Sequence, residues 1–175
     1  MKKPVLVGLL AVCSYLSNAQ NVIDVPENKS VTENGIEYSY TISNERDEES
    51  YSRYEVTIMA QNKSGCQLIY LKNDNLLNLF DSDPSAIARF ECLNATGKRL
   101  TSKGANLKAR PFYVPYNQPE KNAEGKTVYR NVRVQGGFLL KNGGSVSNDL
   151  IVIVPKGERP RFKIRIQNFT ELTAE

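Results

Sequence analysis

Ile36-Glu37-Tyr38-Ser39-Tyr40-Thr41-Ile42-Ser43 alternates apolar and polar residues without a break. Successive side chains of an extended chain point to opposite faces, so Ile36, Tyr38, Tyr40 and Ile42 share one side and the polar residues the other. That is the pattern of a half-buried antiparallel strand. On the C-terminal side an acidic stretch, Asn44 to Ser50, is predicted as a loop. The alternation then resumes in Tyr54-Glu55-Val56-Thr57-Ile58-Met59-Ala60 and stops at the turn formers Asn62-Lys63-Ser64-Gly65. Gln67 to Leu71 reads as the return strand.

The same period recurs to the end of the chain. Lys72 to Ser85 reads as a crossing loop with one short helical turn; its Asp74, Asp81 and Asp83 lack the spacing and central Gly of a calcium loop, so a plain polar turn is expected. Ala86 to Leu93 is a strand with Ala88, Phe90 and Cys92 on one face and Arg89 and Glu91 on the other. Ala95 to Asn106 suggests a basic hairpin with an exposed tip. Leu107 to Val114 is extended, but Pro111 and Pro115 cannot donate to a central ladder and place it at a sheet edge or outside the sheet. Tyr116 to Lys126 is predicted as a Pro, Asn and Gly rich loop. Val128, Val132 and Val134 alternate with polar residues up to Gly136-Gly137, which breaks or bulges the strand. After the turn Asn142-Gly143-Gly144, the run Leu150-Ile151-Val152-Ile153-Val154 suits a strand buried on both sides at one end. Arg161-Phe162-Lys163-Ile164-Arg165-Ile166-Gln167 closes the series.

Seven to nine short strands and no amphipathic helix predict an all-β fold, an antiparallel two-sheet sandwich, with a closed barrel as the alternative. Before it, Lys2 and Lys3, the apolar Val5 to Val12 and Ser17-Asn18-Ala19 form a signal-peptide pattern with cleavage after Ala19. A lipidated Cys13 is the rival reading, with Val12 where lipoprotein signals carry a small residue. The expected domains are a signal peptide over 1–19 and one β-sandwich over 20–175, placed in the periplasm or secreted. The apolar run is shorter than the roughly 20 residues of a membrane-crossing helix, so no transmembrane span is expected.

The chain contains no His, which removes the usual general base, nucleophile activator and metal ligand. No catalytic, cofactor or metal constellation stands out, and the expectation is a protein that is not an enzyme and takes no cofactor. Loss of residues 1–19 removes two lysines and lowers the net charge from +4 to +2. What remains is uneven, because residues 20–50 carry a net −6. Either this separation marks an interaction surface or an acidic N-terminal strand lies beside a basic one.

Cys66 and Cys92 remain after cleavage, and an oxidising compartment favours one disulfide between them; two separate thiols are the alternative. A basic contact surface is expected from Lys98, Arg99, Lys103, Lys108 and Arg110 with Arg161, Lys163 and Arg165, against the reading of a solvated, aggregation-resistant strand face. Phe112, Tyr113, Tyr116 and Tyr129 can form an aromatic contact rim, or pack a long loop onto the sandwich.

The strand Tyr54 to Gln61 ending in Asn62-Lys63-Ser64-Gly65, Phe90-Glu91-Cys92 leading to Ala95-Thr96-Gly97-Lys98, and Gly144-Ser145-Val146 before a later strand resemble the small exported immunoglobulin-like sandwich domains of bacteria, FxLYD-type domains among them. The Phe-x-Leu-Tyr-Asp signature itself does not occur. The resemblance implies an extracytoplasmic, non-catalytic accessory or binding module and assigns no functional residues. The expected partner is another exported or envelope protein, and no nucleic-acid motif is present. A pilus-like subunit assembled by strand addition and a binder of acidic glycans or lipid headgroups are the alternatives. A histidine-free hydrolase is the weakest reading.

Overall fold

The computed structural model describes residues 22–71, 83–97 and 99–166, with residues 71 and 99–103 described by their backbone alone. Among them are eleven strands and no helix: β1 (Val22–Val25), β2 (Ser30–Glu33), β3 (Ile36–Asp47), β4 (Tyr51–Asn62), β5 (Leu68–Leu71), β6 (Ala86–Leu93), β7 (Arg99–Lys108), β8 (Arg110–Lys121), β9 (Thr127–Leu140), β10 (Ser145–Pro155) and β11 (Arg161–Ile166). Every ladder is antiparallel. Two four-stranded sheets, in the orders β1-β11-β6-β7 and β10-β4-β3-β2, and a three-stranded sheet, β5-β9-β8, form a sandwich-like arrangement. The signal-peptide pattern, Cys13 and most of the predicted crossing loop lie outside the described residues.

The alternation read in the sequence sorts side chains as expected. Ile36, Tyr38 and Tyr40 of β3 and Tyr54, Val56, Ile58 and Ala60 of β4 are buried. They face Ala88, Phe90 and Cys92 of β6 and Phe162, Ile164 and Ile166 of β11 in one core. The Tyr40 and Phe162 rings meet across the two sheets at 4.6 Å between centroids. Fully burying side chains of this size contributes roughly 1.5–3 kcal/mol each, so this double layer is the main source of stability. Leu140, Phe138 and Tyr70 extend the core into the base of the third sheet.

Two local devices fix the register. Asn34 and Gly35 both adopt positive φ, 51° and 73°, and close β2 onto β3 in a two-residue hairpin. At the same end of the sheet, opposite Ile36, Asn62 is fully buried, and its amide nitrogen donates toward the carbonyls of Cys66 (2.8 Å), Leu140 (3.1 Å) and Lys141 (3.2 Å). Its Oδ1 accepts from the Ser64 amide and hydroxyl. One side chain thereby holds the turn after β4 against the turn between β9 and β10, and a buried amide in such a network is costly to lose.

Several expectations change. Among the described residues the strands number eleven, not seven to nine, with β1 and β2 added before Ile36; the acidic stretch is partly strand, since β3 runs to Asp47 and leaves only residues 48–50 as the turn. The strand at Leu68–Leu71 pairs with β9 instead of returning along β4. The predicted loop from Tyr116 is strand as far as Lys121. Ile151 and Ile153 are exposed, so β10 is not buried on both sides; it is the edge strand of its sheet, and only Val152 and Val154 face the core. The edge position read from Pro111 and Pro115 holds, since β8 is the outer strand of its sheet.

Candidate functional site

The third sheet is two things joined at a bulge. At its base, Gly137–Leu140 of β9 lies between β5 and β8. Beyond it, Tyr113–Lys121 and Thr127–Gln135 continue as a two-stranded ribbon whose side chains are exposed, apart from the partly covered Val132. Its tip is the turn at residues 122–126, where the Asn122 amide donates to the Lys126 carbonyl. This arm projects from the sandwich.

The bulge has a clear chemical cause. Phe112 pairs with Gly137 and Tyr113 with Gln135, so Gly136 is the extra residue, as the Gly-Gly pair suggested. A Cβ on Gly136 would lie 2.9 Å from Cε2 of the Phe112 ring, so only glycine lets that ring seat there. Gly137 follows at φ 151°.

Directly paired residues of a ladder share a face. One face of the arm carries Val114 with Val134, Tyr116 with Val132, Gln118 with Arg130, and Glu120 with Val128. The opposite face carries Tyr113 with Gln135, Pro115 with Arg133, Asn117 with Asn131, and Pro119 with Tyr129. The first is an apolar strip with one ion pair, Arg130 to Glu120 at 4.0 Å. The second is polar with isolated rings, Tyr129 being 72% exposed.

The four residues of the expected aromatic rim are therefore not brought into one patch. Phe112 and Tyr116 lie on the apolar face, while Tyr113 and Tyr129 lie on the other, because period two separates neighbours along β8. The sequence reading places Val128, Val132 and Val134 on one strand but assigns neither them nor Val114 to a contact surface. The signal was present in their spacing, but it needed the β8–β9 register to line them up with Tyr116.

The expected basic residues divide between two sheets, β7 and β11 lying in one and β8 in another. Lys98 lies outside the described residues, and Arg99 and Lys103 are placed by backbone on β7. Arg110 stands at the root of the arm, apart from the sheet that carries Arg161, Lys163 and Arg165. On that sheet β1 pairs with β11, Asp24 opposite Lys163 at 3.8 Å, and Arg165 approaches Glu91 at 3.3 Å. Lys108 bonds Asp83 at 2.7 Å. Burial pushes the Asp83 carboxyl up, but Lys108 and Ser85 outweigh it and hold the group below its usual range. β1 brings only Asp24 of the eight acids in residues 20–50 to this basic strand, so the pairing accounts for little of the charge separation seen along the sequence.

The clearest ionic link is elsewhere. Arg159, in the turn before β11, grips Glu27 with two bonds of 2.7 and 2.8 Å and also reaches Glu45 at 3.4 Å. The Arg159 hydrogen bond holds Glu27 below the ordinary carboxylate value.

Cys66 and Cys92 are free, so the expected disulfide is corrected. Cys66 is exposed in the turn after β4, with Ser64 Oγ 3.3 Å from its sulfur, whereas Cys92 is buried on the inner face of β6, a strand of the opposite sheet. A cleft of about 620 Å³ lined by Glu55, Thr57, Asp149 and Ile151 lies beside the β10 edge. Its two acids are engaged: Thr57 donates to Asp149 at 2.6 Å and Arg53 to Glu55 at 3.0 Å. Among the described residues no cluster of three or more Cys, Asp or Glu is arranged to hold a metal ion, and no helix is long and apolar enough to cross a membrane.

Comparison with family models, with curated proteins and with solved structures finds no match to this chain. The class that the coordinates define is an all-β sandwich-like protein with a projecting, two-faced hairpin arm.

Proposed function

We propose that this protein is an exported, non-catalytic accessory or binding module that acts through protein–protein contacts in the periplasm or at the cell surface. The observation that carries the reading is the exposed apolar face of the arm, Val114, Tyr116, Val128, Val132 and Val134, held away from the core that such side chains ordinarily fill. A ribbon with one apolar and one polar face offers a partner a contact strip of defined register, with tyrosine as a low-entropy anchor. The absence of histidine and the signal-peptide pattern of residues 1–19 support the non-catalytic and exported parts. The immunoglobulin-like resemblance agrees with both.

The test is excision of the arm. Tyr113 pairs with Gln135, so replacing residues 114–134 by Asn-Gly closes the ribbon in a two-residue turn without touching the sandwich. A photo-crosslinker at Tyr116 is expected to trap a discrete envelope protein in living cells, one at Lys156 is not, and the arm-less chain is expected to remain folded and lose the complex. Equal adducts from both positions, or a complex that survives excision, overturns the proposal.

A further inference from the structure

The two edges of the arm are built differently. Pro111, Pro115 and Pro119 recur every four residues along β8, and residues four apart direct their backbone N–H to the same side. Proline has no N–H and cannot stand in a hydrogen-bonded pair, so all three face away from β9. The outer edge of β8 therefore lacks alternate donors, a protection against further strand pairing.

The edge of β9 has no such protection. β5 covers it only from Gly137 to Leu140, and among the described residues nothing pairs with that side of Thr127–Gln135. No proline or glycine interrupts this stretch. The phase follows from β8: Pro115 is opposite Arg133 and Pro119 opposite Tyr129, so both of those residues turn their N–H and C=O toward the open edge. By alternation Thr127, Asn131 and Gln135 do the same.

We propose that this edge pairs with its own counterpart in a second copy of the chain, β9 against β9 about a twofold axis through Asn131, making one continuous four-stranded ribbon β8-β9-β9-β8. In an isologous antiparallel contact the dyad falls on either a hydrogen-bonded or a non-hydrogen-bonded pair, so every position from 127 to 135 is open to it. Centring on Arg130 or Arg133 sets two guanidinium groups against each other, and every centre other than Asn131 shortens the ladder. Centring on Asn131 uses the whole stretch. It sets Tyr129 opposite Arg133 of the second copy, Val128 opposite its Val134 and Thr127 opposite its Gln135, with no like charges facing. About ten backbone hydrogen bonds form in this register. The contact uses the edge of the arm and leaves its apolar face open, so it stands or falls separately from the partner contact proposed above.

Sedimentation of the intact protein tests it. The wild-type chain is expected to dimerise with concentration. Asn131→Pro removes donors at the dyad without touching the β8 ladder, and weakens the dimer about tenfold or more. Asn117→Pro, on the guarded outer edge of β8, leaves it unchanged. As a second measurement, Asn131→Cys in a Cys66→Ser background is expected to give a covalent dimer on oxidation, and Asn117→Cys is not. A wild-type chain that stays monomeric from micromolar to millimolar concentration overturns the proposal. So does a folded Asn131→Pro chain of unchanged affinity, or a monomer in which the Tyr129, Asn131 and Arg133 amides are as protected from exchange as those of Arg130 and Val132, which would mean that the chain itself covers the edge.

Discussion

Cys92 is fully buried beside Phe90 and Phe162, and burial pushes its thiol up to about 12. A thiol that is neither ionised nor reachable does not react at neutral pH, whereas Cys66 lies open in a turn. Brief alkylation of the folded protein followed by peptide mass mapping is therefore expected to modify Cys66 and leave Cys92 intact until denaturant is added. Recovery of a native Cys66–Cys92 linked peptide would contradict the structure. The sequence pattern set Cys92 on the Ala88–Phe90 face and Cys66 just past a turn. What it could not supply is that β6 and the turn after β4 belong to opposite sheets, which keeps the two sulfurs apart.

At the scale of elements, the strands that alternate cleanly were legible: the inner and outer faces of β3, β4, β6 and β11 follow from period two alone. The arm was half legible. Gly136-Gly137 announced a bulge and the prolines announced an edge, but the prolines also disguised β8 beyond Tyr116 as a loop. Proline forbids a central strand, not a strand whose free edge it guards. β10 misled in the opposite sense, because Ile and Val suit any pleated, half-buried surface and do not by themselves report burial on both faces. The hinge of the arm gives a direct test. In Gly136→Val the new side chain meets the Phe112 ring, and relief requires that ring to leave its seat. A loss of about 1–3 kcal/mol is expected in chemical denaturation, the range for overpacking. Gly125→Ala at the tip, where a Cβ meets nothing within 4 Å but φ is +76°, is expected to cost about 1–2 kcal/mol through backbone strain alone. Adding Phe112→Leu is expected to relieve the Gly136→Val loss and not the Gly125→Ala loss; no relief at Gly136 would show that the Phe112 seat is not what fixes the bend.

Across the whole molecule, Arg159 binds Glu27 and so fastens the segment between β1 and β2 to the turn that leads into β11. Because Arg159 holds the Glu27 carboxyl below its ordinary value of 4.5, the stabilisation is complete above that pH and fades as pH falls through the lower folded value. Glu27→Gln is accordingly expected to lower the melting temperature near neutral pH, and the gap from wild type is expected to close on acidification. A gap independent of pH would mean that shape, not charge, holds the two segments together. Added salt should narrow it as well, since the guanidinium is more than half exposed.

The pairing of β1 with β11 sets Val22 opposite Arg165, so strands from the two ends of the described chain lie side by side. Among the described strands β11 is made last, and until it is in place β1 has no ladder and the first four-stranded sheet lacks its second strand. The arm, by contrast, is contiguous in sequence and can form from its own residues as soon as they emerge. The arm therefore closes through local contacts, the first sheet closes only when β1 and β11 meet, and a chain cut short before Arg161 leaves β1 without its ladder.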